Sequence, residues 1–354
     1  IRPIQYTVES EAFQLPTPVR TGYIFLGWTG EGITEPQKTI EIPQGSTGDR
    51  TYTANWQVIE YTIITLLEGG NAGSSGEYFY TVEQTVTLPT PTRTGYTFLG
   101  WTGEGITTPQ PNVTIPKGST GDKKYIENWE LTEYNIAMDL NGGSGQEKVV
   151  YTITDEDFEL PTPTRNGYEF VGWTGERITT PQTSVKIPKG STGNKAYTAN
   201  WKVIRYTITL VTNGGAVIAS IRYTVEDSVT LPIPPDRPGY EFSGWVLDGS
   251  GQFPSTPMII PKGSTGDLIY KAEWRVATYT ITYVSHGKAY NWVQYTINNQ
   301  VYFGTPEEDP SYYLPGYTFV GWKIDGVEGT PHSYMLPKGS YGNRTATMLW
   351  EPIP

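Results

Sequence analysis

The string "PTPTRTGYTFLGWTG" runs from Pro89 to Gly103, and the chain spells it again with few changes. "PTPVRTGYIFLGWTG" occupies Pro16 to Gly30, and "PTPTRNGYEFVGWTG" occupies Pro161 to Gly175. Looser copies follow as "PIPPDRPGYEFSGW" from Pro232 to Trp245 and "YLPGYTFVGW" from Tyr313 to Trp322. The Gly-Trp pair therefore recurs at Trp28, Trp101, Trp173, Trp245 and Trp322, with spacings of 73, 72, 72 and 77. A second tryptophan closes each copy, at Trp56, Trp129, Trp201, Trp274 and Trp350, and "PQGSTG", "PKGSTG" or "PKGSYG" stands between the two. A period near 72 is too long for a solenoid turn and long enough for a small domain with its own core. The chain thus reads as five repeats: 1–58, 59–131, 132–203, 204–276 and 277–354.

Within a repeat the apolar period is two, not that of a helix. "YTITLV" (Tyr206 to Val211) and "YTITY" (Tyr279 to Tyr283) alternate, and a Gly-rich turn such as "LNGGSG" (Leu140 to Gly145) follows. A second run, "VVYTI" or "IRYTV", comes next, then "VTLP", the Pro-rich string, "GYTFLGW", "NVTIP" and "KKYIENW". Thr, Val, Ile and Tyr are strand formers, and no segment carries a convincing helical stripe, so the fold class is mainly β with little or no helix. The turn after Gly-Trp changes its letters from "TGEG" to "VLDG" and "KIDG" but keeps its glycine, which points to selection for a hairpin turn. Gly22, Gly95, Gly167, Gly239 and Gly316 each precede a tyrosine and read as backbone freedom at a strand entry. The opening string is architecture that is copied.

Successive repeats are joined by "QVIE", "ELTE", "KVIR" and "RVAT", none with Gly or Pro. Such joints are expected to continue the strand and to make an elongated, semi-rigid rod, on the order of 180 Å for five domains with strands of five to seven residues. The first repeat is incomplete, because Ile1 leads directly into "IQYTV", the counterpart of the second run. Either the cut falls inside a repeat, which is preferred, or another chain supplies the opening strand by strand exchange at this open edge.

Composition narrows the function. The 354 residues hold 36% hydrophobic and 13% aromatic residues, so 26 Tyr and 11 Trp must carry much of the core. A net charge of −11 argues against nucleic acid and against an anionic membrane surface. No apolar run is long enough for membrane insertion. Cysteine is absent, which removes thiol catalysis and cysteine metal sites and fits disulfide-free bacterial surface proteins.

"NGG", then "LPTPTRTGYTFLGW", then "YTANW" resembles the Listeria–Bacteroides repeat, the B-repeat of internalins, over the whole chain. The resemblance implies compact β-grasp-like (ubiquitin-like) domains in secreted or wall-attached bacterial proteins, where tandem copies act as stalks or contact surfaces. The "IPKGSTG" phrase departs from many members, so their ligands do not transfer. The family implies no catalytic residue.

The residues agree. His286 and His332 both lie in the fifth repeat and do not recur, unlike a repeat-borne catalytic site. "ITDEDFEL" (Ile153 to Leu160) lacks the spacing of a calcium loop, and "GSTGDK" (Gly118 to Lys123) lacks the phosphate-loop pattern. Asn55, Asn128 and Asn200 precede the closing tryptophan, but no lysine recurs as an isopeptide partner. No cofactor is expected. The recurrent tryptophans Trp28, Trp56, Trp101, Trp129, Trp173, Trp201, Trp245, Trp274, Trp322 and Trp350 read as structural core. The irregular aromatics Tyr78, Tyr290, Trp292, Tyr302, Tyr312 and Tyr313 are the candidates for ligand contact. The expected function is a non-enzymatic stalk or spacer of a secreted or cell-surface bacterial adhesin. The alternatives are a multivalent array for host or matrix glycan or protein, and a filament completed by a donated strand.

Overall fold

In this computed structural model, residues 2–67, 76–305 and 314–354 are described. Among them every regular element is a β-strand and none is a helix. The second repeat shows the plan. An opening strand, Tyr61–Leu66, turns back into a return strand, Glu77–Tyr80. The Pro-rich string leads to the tryptophan strand, Tyr96–Gly103, which turns into an edge strand, Ile106–Gln110. The closing strand, Lys123–Leu131, enters the middle of the sheet. The order across the sheet is edge, tryptophan, closing, opening, return. Opening and closing strands run parallel, Ile63 opposite Lys123 through Leu66 opposite Ile126, and the other pairs are antiparallel.

Two short segments, Val86–Thr87 and Thr114–Ile115, pair as a small second sheet. The buried cluster draws on both sheets: Ile63, Tyr80, Trp101 and Tyr125 from the large one, Ile115 and the adjoining Leu88 and Val113 from the small one. The alternation read from sequence explains this layer, since every second residue of each strand points inward.

The fourth repeat keeps the order return (Ile221–Tyr223), opening (Tyr206–Val211), closing (Leu268–Val276), tryptophan strand (Tyr240–Leu247). The fifth does the same with a longer hairpin, Tyr279–Ser285 and Lys288–Tyr295. In the third, the opening strand Tyr134–Asp139 pairs with Lys148–Tyr151 and runs parallel to Lys195–Thr198. The larger sheet of the first has three strands, Ile33–Gln37, Tyr23–Gly30 and Thr53–Val58, and Phe13–Gln14 pairs with Glu41–Ile42 as its small sheet. The hairpin turn after its Gly-Trp is the expected one, with Glu31 and Gly32 both at positive φ (50° and 82°).

The residues cluster into two compact units. One holds Ile1–Asp139, Gln146–Pro161 and Trp173–Thr198; the other holds Leu140–Gly145, Thr162–Gly172 and Ala199–Pro354. Inside each unit, successive repeats are joined differently from the sequence expectation. The strand does not run on. Two residues, such as Ile59-Glu60 or Ala277-Thr278, separate a closing strand from the next opening strand. The first of the pair stays in register with its own repeat's tryptophan strand, one step beyond pairs such as Tyr23 opposite Val58 and Tyr240 opposite Val276. Ile59, Thr132, Ile204 and Ala277 donate to the carbonyls of Gly22, Gly95, Gly167 and Gly239 at 2.9–3.0 Å.

Candidate functional site

The recurring site of this molecule is the joint. Gly22, Gly95, Gly167 and Gly239 accept the amide just described, and each also faces a side chain of the following repeat. The place of a Cβ on Gly22 is taken by Val82, on Gly95 by Ile153, on Gly167 by Val225 and on Gly239 by Ile297. These aliphatic residues sit on one turn, the "YTV" or "YTI" turn after the return strand. The "PKGSTG" phrase holds that turn in place: Gly118, Gly190, Gly263 and Gly339 donate to the carbonyls of Val82, Ile153, Val225 and Ile297 at 2.7–3.1 Å. Ser119, Ser191, Ser264 and Ser340 in turn bond the carbonyl of the proline that opens the phrase, at 2.6–2.7 Å. The phrase is thus a turn that presents an aliphatic knob to the preceding repeat. Val82 in its seat is 8% exposed, whereas Val8, its counterpart in the first repeat, is 53% exposed.

Polar contacts close two of these joints. The hydroxyl of Tyr23 donates to Glu83, and that of Tyr168 donates to Glu226. The acceptor carboxylate raises each tyrosine above its ordinary pKa, because losing the proton would set two negative charges side by side. On the other ring face the guanidinium carbons of Arg20 and Arg165 lie 3.6 and 3.8 Å from the ring centroids.

The two recurrent tryptophans differ in place. Trp101, Trp173, Trp245 and Trp322 are at most 2% exposed, and Trp28 is 7% exposed. Trp56, Trp129, Trp201, Trp274 and Trp350 are half-buried at the rim of the core. Their rings meet the phenylalanine of the tryptophan strand edge-on, as in Phe98–Trp129 at 5.3 Å and Phe242–Trp274 at 5.5 Å. The indole N–H groups of Trp201 and Trp274 reach the turn after the opening strand, at Leu140 O and Thr212 O, whereas that of Trp129 donates to the Glu127 carboxylate on its own strand.

Among the described residues, the irregular aromatics do not form one platform. Tyr78 packs against the core of the second repeat. Tyr290 is the extra residue of a bulge, and it turns toward Tyr283 and the buried Met348. Trp292 stands out from the same strand, 63% exposed. Tyr302 lies in the small sheet opposite Met335. Tyr312 and Tyr313 lie outside the described residues. Phe79, 59% exposed on a return strand, was hidden in the sequence by its alternation with the buried Tyr80.

Groups with chemical potential are tied to structure. The acids of "ITDEDFEL" pair with lysines, Asp157 with Lys186 and Glu156 with Lys189, both at 2.6 Å. Hydrogen bonding to Lys186 holds the Asp157 carboxyl below the usual range. His286 takes a turn position at φ 53° with its ring near Tyr317 and Trp350, and His332 lies against Phe319. Asn55 and Asn128 spend their side-chain amides on the bulge of the tryptophan strand, at the carbonyls of Gly27 and Gly100. Among the described residues no group of three His, Cys, Asp or Glu could hold a metal ion, and no helix is long and apolar enough to cross a membrane.

A family model for the Listeria-Bacteroides repeat domain matches residues 3–55, 61–124, 134–200, 206–268 and 279–341. Two curated relatives come from Evansella cellulosilytica. A "Putative Gly-rich membrane protein" is 27% identical over 293 residues, covering 80% of this chain and 32% of the relative. A "Putative membrane protein" is 24% identical over 284 residues, covering 78% of this chain and 41% of the relative. The chain thus spans well under half the length of the curated relatives it matches.

Proposed function

The chain belongs to the Listeria-Bacteroides repeat family, and from that premise we propose that it is a non-enzymatic stalk, a spacer segment of a bacterial cell-surface adhesin. Its β-grasp-like domains follow head to tail as an elongated rod and hold another part of the protein away from the cell. The joint carries this reading. The same glycine seat and aliphatic knob recur at four successive junctions, always with the same backbone bond beside them. An array with uniform, side-chain-specific joints transmits position along its length, which a chain of free beads does not. Relatives named as membrane proteins support an extracellular placement.

The test is small-angle X-ray scattering of the chain over a concentration series. A concentration-independent particle with a maximum dimension on the order of 180 Å, five domains of stacked short strands, is the expected result. A compact particle sinks the stalk.

A multivalent array for host or matrix glycan or protein is the second reading, favoured by the exposed Trp292 on the lengthened hairpin of the fifth repeat. Saturable binding on a glycan or matrix-protein array, lost in Trp292→Ala, would move it to the front.

A further inference from the structure

We propose that Asn166 is a self-modification site: the neighbouring Gly167 nitrogen and water convert it to isoaspartate, and the conversion opens the third joint. The site stands whether or not the array is a stalk.

The chain holds three Asn-Gly pairs, at Asn141, Asn166 and Asn213. In such a pair no Cβ screens the nitrogen that follows the asparagine, so that nitrogen can reach the side-chain carbonyl carbon. All three asparagines are exposed, and what differs is how each is held. Asn141 and Asn213 sit in the turn after an opening strand, both at φ 47°. Their side-chain amides donate to Ala199 O at 3.2 Å and to Ala272 O at 2.9 Å. Arg165 donates to Asn141 O at 2.9 Å and so pins that turn as well. The Asn166 amide reaches only Gly263 O among the described residues, at 3.5 Å, the outer limit of a hydrogen bond. The turn around Asn166-Gly167 is closed by the bond from Tyr168 N–H to Arg165 O at 3.1 Å.

The Gly167 amide nitrogen gives up its proton and bonds to Cγ of Asn166. The Cγ–Nδ2 bond breaks, and that nitrogen leaves as ammonia with the proton, which closes a succinimide ring. Water then opens the ring. Opening at Cγ leaves an ordinary aspartate. Opening at the main-chain carbonyl leaves isoaspartate, with the backbone running through Cγ. Either way one water is consumed, one ammonia is released, and nothing is oxidised or reduced.

The joint has no slack for the extra backbone carbon. A Cβ on Gly167 would already lie 2.5 Å from Val225 Cβ, and the Gly167 carbonyl accepts the Ile204 amide at 2.9 Å. Isoaspartate lengthens the main chain immediately before that glycine. It also adds a negative charge to a joint that already holds the Glu226 carboxylate. The corresponding residues at the other three joints are Thr21, Thr94 and Pro238, none with a side-chain carbonyl, so the third joint alone can change in this way.

The experiment ages the whole chain in warm, mildly alkaline buffer and maps deamidation and isoaspartate by peptide mass spectrometry, with amide hydrogen exchange on the same samples. Asn166 should convert at least about tenfold faster than Asn141 and Asn213 in the folded chain, and at a rate similar to theirs in denaturant, where the hold of the fold is gone. In the aged fraction the Ile204 amide should lose protection while those of Ile59, Thr132 and Ala277 keep theirs. The loss should persist on return to neutral pH, unlike one caused by ionising Tyr168. Asn166→Thr, which copies the first two joints, should abolish the conversion and keep Ile204 protected. Asn166→Asp supplies the charge without the extra backbone carbon and should also keep Ile204 protected. Conversion of Asn166 no faster than of Asn141 or Asn213, the same preference in denaturant, recovery at neutral pH, or full Ile204 protection after conversion to isoaspartate overturns the proposal. Opening of the joint by Asn166→Asp assigns the effect to charge and overturns it too.

Discussion

Gly22 and Val82 meet across the first joint so closely that a Cβ on Gly22 would lie 2.1 Å from Val82 Cγ1. Gly316, its counterpart in the fifth repeat, has a similar positive φ (82° against 77°) but no described residue within 4 Å of a Cβ. The pair separates two costs of adding a side chain. Gly316→Ala carries only the backbone strain of a left-handed residue, about 1–2 kcal/mol. Gly22→Ala adds overpacking against Val82, about 1–3 kcal/mol more. Chemical denaturation of both variants checks this, and equal losses would mean that the joint contributes nothing to stability.

The return-strand tyrosines carry a buried bond. Tyr80 donates to the Gly121 carbonyl at 2.6 Å from a fully buried position. Tyr80→Phe strands that carbonyl and should cost about 1–3 kcal/mol. The urea midpoint should fall with an unchanged m-value, and an unchanged midpoint would refute the assignment.

Alkaline pH should loosen the first and third joints selectively. The pKa of Tyr23 and of Tyr168 is raised in the folded chain by the carboxylate that accepts the hydroxyl proton. Stability linked to a raised pKa is complete below the unfolded value, about 10 for tyrosine, and is lost as pH rises through the folded value. Thr154 and Asn298 replace the glutamate at the other two joints. Hydrogen exchange above pH 10 should therefore accelerate at Val82 and Val225 before Ile153 and Ile297, and Glu83→Gln should remove the effect at Val82.

Tryptophans of unequal burial should behave unequally. Trp101→Ala removes a fully buried ring and should cost about 3–5 kcal/mol, enough to unfold the second repeat on its own. Trp292→Ala should change stability by no more than about 0.5 kcal/mol, since its ring is exposed. Differential scanning calorimetry distinguishes the two, and a large loss in Trp292→Ala would place that ring in a packed role.

The repeat and its strands were legible because period two and fixed Gly-Trp spacing are local signals. The sheet order was not. Parallel pairing of Ile63 with Lys123 joins residues far apart in sequence, and alternation names strands without naming partners. The two tryptophan sets recur equally, so sequence alone reads them alike; only the fold shows that Trp274 lies at the rim because its indole N–H must reach Thr212 O. Gly22 is the clearest case. Freedom at a strand entry accounts for its positive φ, but what forbids a side chain there belongs to the next repeat. Strand continuity through "QVIE" failed for a related reason, since Ile59 stays paired with Gly22 of its own repeat, one step beyond Tyr23 opposite Val58, and the next opening strand starts only at Tyr61.

The parallel placement of opening and closing strands has a mechanical meaning. Tension applied along the polypeptide enters a repeat at the start of the opening strand and leaves at the end of the closing strand. In parallel neighbours these points lie at opposite ends of the shared ladder. A pull therefore shears the bonds between Ile63–Leu66 and Lys123–Ile126 all at once, instead of unzipping them one at a time. Each repeat with this parallel pair is built as a clamp under load.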